Sequence, residues 1–188
     1  MKKSYQVTEF CHRFLEDYIM ENDCCVDATA GNGWDTEFLC HMAGAGGKVY
    51  AFDIQKEALE HTRQRLGESG MLERAVLIED GHEHMKEYIK EPVSAIVFNF
   101  GYLPGGSHQI ATRPETSIAA VRQGLELLKP GGIMSLCIYS GRDTGYEEKD
   151  TLLQLLKELD PEKWLVIASS YYNRKNDPPL PVFVIRLK

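Results

Sequence analysis

The segment CCVDATAGNGWDT, residues 24–36, decides the fold. It opens as an apolar strand, Cys24–Thr29, passes through Gly31 and Gly33, and resumes at Trp34 in a helix predicted to reach His41. The two glycines let the backbone turn tightly and approach a ligand closely. A strand that feeds a helix through such a turn is the first half of a βαβ unit. In an open α/β sheet that turn borders the ligand crevice. Twenty residues past Gly33, Asp53 ends the next predicted strand, Lys48–Asp53. A carboxylate at that place can accept both hydroxyls of a ribose, so loop and acid together indicate an adenosine-type ligand.

Outward from this unit, strand-like and helix-like segments alternate, with no internal repeat. A helix is predicted over Thr8–Met20, where Phe10, Phe14, Leu15, Tyr18 and Ile19 fall at helical spacing and Thr8 can cap. After the Gly44–Gly47 turn come strand Lys48–Asp53, helix Lys56–Glu68, strand Ala75–Glu79, a short helix ending near Lys90, and strand Ser94–Phe98. Thr112 and Glu115 form a capping box for a helix to Leu128, with Pro114 in the first turn, where its missing N–H is harmless. Lys129-Pro130-Gly131-Gly132 stops that helix before strand Ile133–Tyr139. A helix opened by Thr144 and Glu147 runs to Leu159, and strands Trp164–Tyr171 and Val182–Leu187 follow. Continuous apolar strands alternating with helices imply a parallel sheet covered on both faces. The last two strands have no helix between them and are expected to pair antiparallel. The expectation is one α/β domain over residues 1–188: a Rossmann-like, doubly wound, seven-stranded sheet, mostly parallel with an antiparallel C-terminal strand.

Composition narrows the function. The net charge of −7 argues against binding nucleic acid or anionic membrane with the whole surface, and leaves a local basic patch open. Lys2-Lys3 is followed by Ser4-Tyr5-Gln6 rather than an apolar run, so no secretory signal or membrane span is expected and the location is expected to be cytoplasmic. The five cysteines show no metal-ligand spacing, and no metal is expected. Cys24, Cys25 and Cys137 lie in apolar runs and read as buried, reduced packing residues.

The loop chemistry selects among adenosine ligands. A dinucleotide loop wants Gly-x-Gly-x-x-Gly/Ala with a pyrophosphate at the helix N-terminus. Here the third position is Thr36, and Asp27 and Asp35 on either side of the loop would repel a pyrophosphate. They suit a cation such as the sulfonium and ammonium of S-adenosylmethionine. Residues 24–36 resemble the first motif of class I S-adenosylmethionine-dependent methyltransferases, and Asp53 is similar to that superfamily's ribose-binding acid. Asp80-Gly81-His82, after the third strand, matches the place where the superfamily meets adenine; an Asp-Gly turn capping the next helix is the plainer reading.

The fourth strand runs into VFNFGYLPGG, residues 97–106. A plain turn does not need an Asn, a Tyr and three glycines within eight residues. Asn99-Phe100-Gly101-Tyr102 is similar to the Asn-Pro-Pro-Tyr signature of amino-group methyltransferases, differing at the two prolines. An attacking amine needs acceptors for its N–H groups, and the Asn99 side-chain oxygen and Phe100 carbonyl can supply two. Together, Asp-Ala-Thr-x-Gly-Asn-Gly-x-Asp-Thr and Asn-x-Gly-Tyr-Leu-Pro-Gly-Gly resemble the small bacterial family labelled putative ribosomal RNA methylases. Characterised members of that family methylate the aminomethyl group of wobble uridine 34 in tRNA. The resemblance implies S-adenosylmethionine as cofactor, held by Asp27, Thr29, Gly31, Asn32, Gly33, Asp35, Thr36, Asp53, Ile54, Asp80, Gly81, His82 and Asn99. It implies a tRNA anticodon loop as substrate; residue chemistry gives catalytic roles to Asn99, to Tyr102 stacking on the base, and to His108 as the base taking the amine's proton. Phe100, Gly101, Tyr102, Leu103, Pro104 and Gly105 would border the acceptor. Arg113, Arg142, Arg174 and Lys175 would meet RNA phosphates, with Tyr171 and Tyr172 near the last pair. Where many family members carry an acid after the Gly-Gly pair, this chain has Ser107-His108. A homodimer would extend the RNA surface of so small a domain; the residues leave the oligomeric state open. The competing readings are an rRNA or small-amine methyltransferase, a dinucleotide-dependent oxidoreductase, and a non-catalytic nucleotide-binding module.

Overall fold

The computed structural model describes residues 6–100, 112–139, 145–175 and 178–188. Seven strands form one sheet in the order β3-β2-β1-β4-β5-β7-β6. β1 (Cys24–Asp27), β2 (Lys48–Phe52), β3 (Ala75–Ile78), β4 (Val93–Phe100) and β5 (Leu128–Ile138) pair in parallel. β7 (Leu180–Arg186) is antiparallel to both β5 and β6 (Trp164–Ala168), so one strand of the seven is reversed, as expected. Strand order changes direction between β1 and β4, and in such a sheet the ligand crevice opens at that point, outside the strand C-termini.

Both faces are covered. On one, α1 (Val7–Leu15), α2 (Trp34–Ala43) and α3 (Lys56–Glu68) bury Cys11, Leu15, Leu39, Ala43 and Leu66 against Cys25, Val49, Ala95, Val97 and Phe183. On the other, α4 (Met85–Tyr88), α5 (Pro114–Leu127) and α6 (Gly145–Lys157) bury Met85, Ala120, Val121, Leu152 and Leu156 against Val26, Phe52, Ile96, Phe98 and Val184. This double cover is why the strands read as unbroken apolar runs rather than alternating ones. All five cysteines are free and buried, in keeping with a packing role. Among the described residues no helix is long and apolar enough to cross a membrane.

One boundary matters for the site. The fourth strand, expected to end at Phe98, continues through Phe100, because Asn99 and Phe100 pair with Cys137 and Ile138 of β5. Successive strand residues point to opposite faces. Ile96, Phe98 and Phe100 lie on the α5–α6 face, and Ala95 and Val97 on the α1–α2 face. Asn99 therefore projects toward α1 and α2, and the Phe100 ring is fully buried on the other side.

Other expectations are corrected. The first helix is capped at Gln6 rather than Thr8 and ends at Leu15, not Met20. The chain must turn there to enter β1, with Asn22 at φ +70 and the Met20 N–H donating to Asp23 Oδ2 at 2.8 Å. The Thr112 capping box does not form: Arg113 is the N-cap, and the Thr112 hydroxyl donates to the buried Glu148 of α6 at 2.9 Å. A buried carboxylate is a stronger acceptor for that hydroxyl than the alternatives at an open helix end. Lys129-Pro130-Gly131-Gly132 lies within β5, where the pairing with β4 slips between Val93 and Ala95 and Gly131 takes φ +78. Thr144 lies outside the described residues.

α1 is the smallest of the three helices on its face, and Leu15, fully buried, is one of its two core residues. Leu15→Ala should cost ~2–5 kcal/mol of unfolding free energy by denaturant titration. A loss under ~1 kcal/mol would show that α1 is not part of the cooperative core.

Candidate active site

The loop after β1 is stitched to the strands on either side. Ala28 N–H donates to Val97 O at 2.9 Å and Ala30 N–H to Phe52 O at 2.8 Å. Gly31 and Gly33 adopt φ +52 and +79. A Cβ on Gly33 would also stand 2.8 Å from the Thr62 Cα, so glycine is required there twice over. α3 holds the loop from outside: Thr62 Oγ1 donates to Gly31 O at 3.2 Å and Arg65 Nε to Asn32 O at 2.8 Å. The Arg65 guanidinium also lies 3.3 Å over the Trp34 ring, which is largely exposed. The Asn32 side chain pairs with His61 at 3.1 Å on the exposed flank. Trp34 thus faces out and Asp35 faces in.

Three carboxylates converge at this end of the sheet. Asp27 is fully buried; its Oδ2 accepts from the Thr36 hydroxyl at 2.6 Å and its Oδ1 from the Thr29 N–H at 3.1 Å. Asp35 is buried and accepts from Asn99 Nδ2 at 2.5 Å and from the His12 ring. Asp53 accepts from Gly31 N–H and Gln55 N–H, both at 2.9 Å. Burial, reinforced by the Asp35 charge, pushes the Asp27 carboxyl up, and burial pushes Asp53 up as well. Among the described residues, His12 is the one cationisable group hydrogen-bonded to any of the three. A cluster of this kind repels phosphate and favours a cation.

The expected cofactor residues separate into two kinds. Asp27, Thr29 and Thr36 bond to one another and to Asn99, whose N–H donates to Thr29 Oγ1 at 2.8 Å; their side chains build the loop. Asp53 keeps a second lone pair on each oxygen, with Ile54 exposed beside it. Its chemistry fits a ribose diol, and the carboxylate cluster fits a sulfonium and an ammonium, so the residues present suit S-adenosylmethionine. His82 lies at the same end. Its Nδ1 meets Ala28 O at 3.0 Å; a carbonyl only accepts, so Nδ1 carries the proton and Nε2 a lone pair. Burial pushes the His82 pKa down, and the ring meets the stacked Phe98–Phe100 pair at steep angles. Asp80 turns to its own segment, accepting from Gly81 N–H at 2.7 Å, His84 Nδ1 at 2.9 Å and the Tyr88 hydroxyl at 2.7 Å. His84, then Tyr88, hold its carboxyl below the usual range.

At the end of β4, Asn99 is joined to the loop through Asp35 and Thr29. The Phe100 carbonyl accepts from Tyr139 N–H at 3.2 Å and keeps one lone pair; its ring is fully buried. Arg113, Arg174, Lys175 and the fully exposed Tyr172 are at the surface. Gly101, Tyr102, Leu103, Pro104, Gly105, His108 and Arg142 lie outside the described residues. Sequence reasoning missed His12, Arg65 and Glu148. Their partners arrive from other elements, and no local pattern marks them.

Comparison with known proteins bears on this arrangement. The family described as putative rRNA methylase matches residues 49–185. A tRNA (mnm(5)s(2)U34)-methyltransferase, chloroplastic, of Arabidopsis thaliana is 36% identical over 97% of this chain and 69% of its own length. A putative rRNA-methylase of Clostridium thermocellum is 42% identical and superposes with a TM-score of 0.95, covering 98% of this chain and 100% of the other. A putative methyltransferase of Streptococcus mutans, solved with S-adenosylhomocysteine, is 40% identical with a TM-score of 0.89, covering both chains completely.

Asp27 supplies a prediction with a definite sign. Its folded pKa is raised, so its contribution to stability is present at low pH and is lost as pH rises above the ordinary Asp range. Asp27→Asn keeps both hydrogen bonds, with Thr36 now accepting from the amide, and cannot ionise. The variant should be more stable than the parent above neutral pH by ~1 kcal/mol or more. The gap should close on acidification, and S-adenosylmethionine should bind ~10-fold or more weakly. Equal stability at all pH values would remove the buried charge from the account.

Proposed function

The chain belongs to the putative rRNA methylase family of S-adenosylmethionine-dependent methyltransferases, and on that premise we propose that its acceptor is a primary amine: the aminomethyl group of wobble uridine 34 in tRNA. The observation that carries this reading is the Asn99 side chain. Asp35 accepts from its Nδ2, which leaves the amide oxygen as the group Asn99 offers to an incoming ligand. An oxygen there accepts from an incoming donor, which a primary amine supplies through its N–H. The Arabidopsis relative, whose name specifies mnm(5)s(2)U34, supports uridine 34 as the amine's carrier.

S-adenosylmethionine, when bound, supplies a methyl carbon made electrophilic by its sulfonium. The chain's residues do the rest. We assign Asp53 to the ribose hydroxyls, and Asp27 and Asp35 to the negative field at the cationic end. Asn99 fixes the amine by one N–H so that its lone pair points at the methyl carbon. The amine nitrogen gains the new C–N bond, the C–S electron pair stays on sulfur, and the product ammonium releases one proton. An aliphatic ammonium has a pKa of ~10.4 and must be deprotonated before attack. We assign that step to His108 and base stacking to Tyr102. Positioning of this kind is worth up to ~7–11 kcal/mol of barrier. For the RNA, Arg113, Arg142, Arg174 and Lys175 are the cations we assign to phosphate contacts, and binding should weaken steeply with salt.

The test is methyl transfer to tRNA carrying 5-aminomethyluridine, followed by nucleoside mass analysis, with Asn99→Ala alongside. The wild type should add one methyl to that uridine. Asn99→Ala should bind S-adenosylmethionine normally and turn over ~100-fold more slowly. Methylation of ribosomal RNA or of a free amine in place of tRNA would overturn the substrate, and normal turnover by the variant would remove Asn99 from the mechanism.

A further inference from the structure

We infer that His12 is a positioning residue for methyl transfer, acting through Asp35 to lock the Asn99 amide with its oxygen toward the acceptor. The inference rests on the reading of Asn99 as the group that holds the amine. It starts from what is already fixed. The Asn99 backbone is set by pairing with Cys137 and by the N–H bond to Thr29 Oγ1 at 2.8 Å. Strand parity sends the side chain toward α1 and α2. The remaining freedom is rotation of the terminal amide, which exchanges its oxygen and its NH₂.

That exchange would be fatal to amine holding. An NH₂ presented to an amine N–H sets donor against donor, whereas the oxygen accepts. Asp35 decides between the two, because a carboxylate has no proton to give and can only meet the NH₂. Asp35 itself sits on the first turn of α2 and could rotate away. Its other oxygen is held by the Nε2 of His12, from α1. The His12 ring lies flat on Phe38 of α2, with centroids 3.9 Å apart and planes 4° from parallel, so its direction is set by stacking. His12, Asp35 and Asn99 form one line across three elements, buried enough for each bond to count: the His12 and Asp35 side chains are 21% and 10% exposed.

Two substitutions separate positioning from packing. His12→Phe keeps a ring on Phe38 and removes the donor to Asp35. His12→Gln keeps an N–H donor and gives up the ring. Positioning requires His12→Phe to lower kcat roughly tenfold or more, with KM for tRNA and the affinity for S-adenosylmethionine little changed, and His12→Gln to recover most of the loss. A packing role gives the opposite order. Wild-type kcat in His12→Phe, or a Gln variant no better than the Phe variant, would overturn the proposal. A second readout does not depend on the acceptor. The Asn99 side-chain amide resonance, identified by its loss in Asn99→Ala, should shift in His12→Phe and stay near its wild-type position in His12→Gln. An unmoved signal in His12→Phe overturns the proposal whatever the enzyme methylates. Failure of the wild type to methylate tRNA would instead overturn the substrate reading and leave the amide signal to decide on His12.

Discussion

A carboxylate sealed at the end of a parallel strand is the constraint on which this structure depends. Asp27 is fully buried, beside a second buried carboxylate and within the field of a third. Burying such a group is costly unless its lone pairs are satisfied and its charge is offset. The first condition is met inside the fold, by the Thr36 hydroxyl and the Thr29 N–H. The second is left to the ligand. A fold that tolerates this arrangement is held ready for a positive ligand, and the sulfonium and ammonium of S-adenosylmethionine answer that need in a way a pyrophosphate cannot.

The same constraint joins the two halves of the crevice. Thr29, which donates to Asp27 through its N–H, accepts from the Asn99 backbone through its hydroxyl. Asp35, in the first turn of α2, bonds the Asn99 side-chain amide. The loop after β1, the start of α2 and the end of β4 are therefore one hydrogen-bonded unit. Methyl transfer needs a short, in-line approach of two ligands, and a shared framework removes the freedom that would spoil it.

How much of this was legible in the sequence follows from how local each signal is. Gly31 and Gly33 announced the loop because positive φ is a property of the residue itself, and Asp53 was expected beside that loop, where it accepts from the Gly31 N–H, because its spacing follows from the length of one βαβ unit. The sheet and its reversed last strand were legible from apolar runs and from the absence of a helix between two of them. The end of β4 was not: Asn99 and Phe100 are strand residues because β5 pairs with them, and that pairing is remote in sequence. The inward turn of Thr36 onto Asp27, the diversion of Thr112 to Glu148 and the arrival of His12 at Asp35 are likewise tertiary. In each case packing, rather than a local pattern, decided which atom faced which.

The most direct measurement is the proton balance of cofactor binding. S-adenosylmethionine would be titrated calorimetrically into the protein at pH ~6, where an α-amino group is already protonated, in buffers of different ionisation enthalpy. If carboxyls whose pKa values are raised in the empty fold become paired with a cation, binding must lower those values, and protons must leave. The account requires net release on binding. No exchange, or net uptake, would mean that the buried carboxylates are not what receives the cofactor's charge.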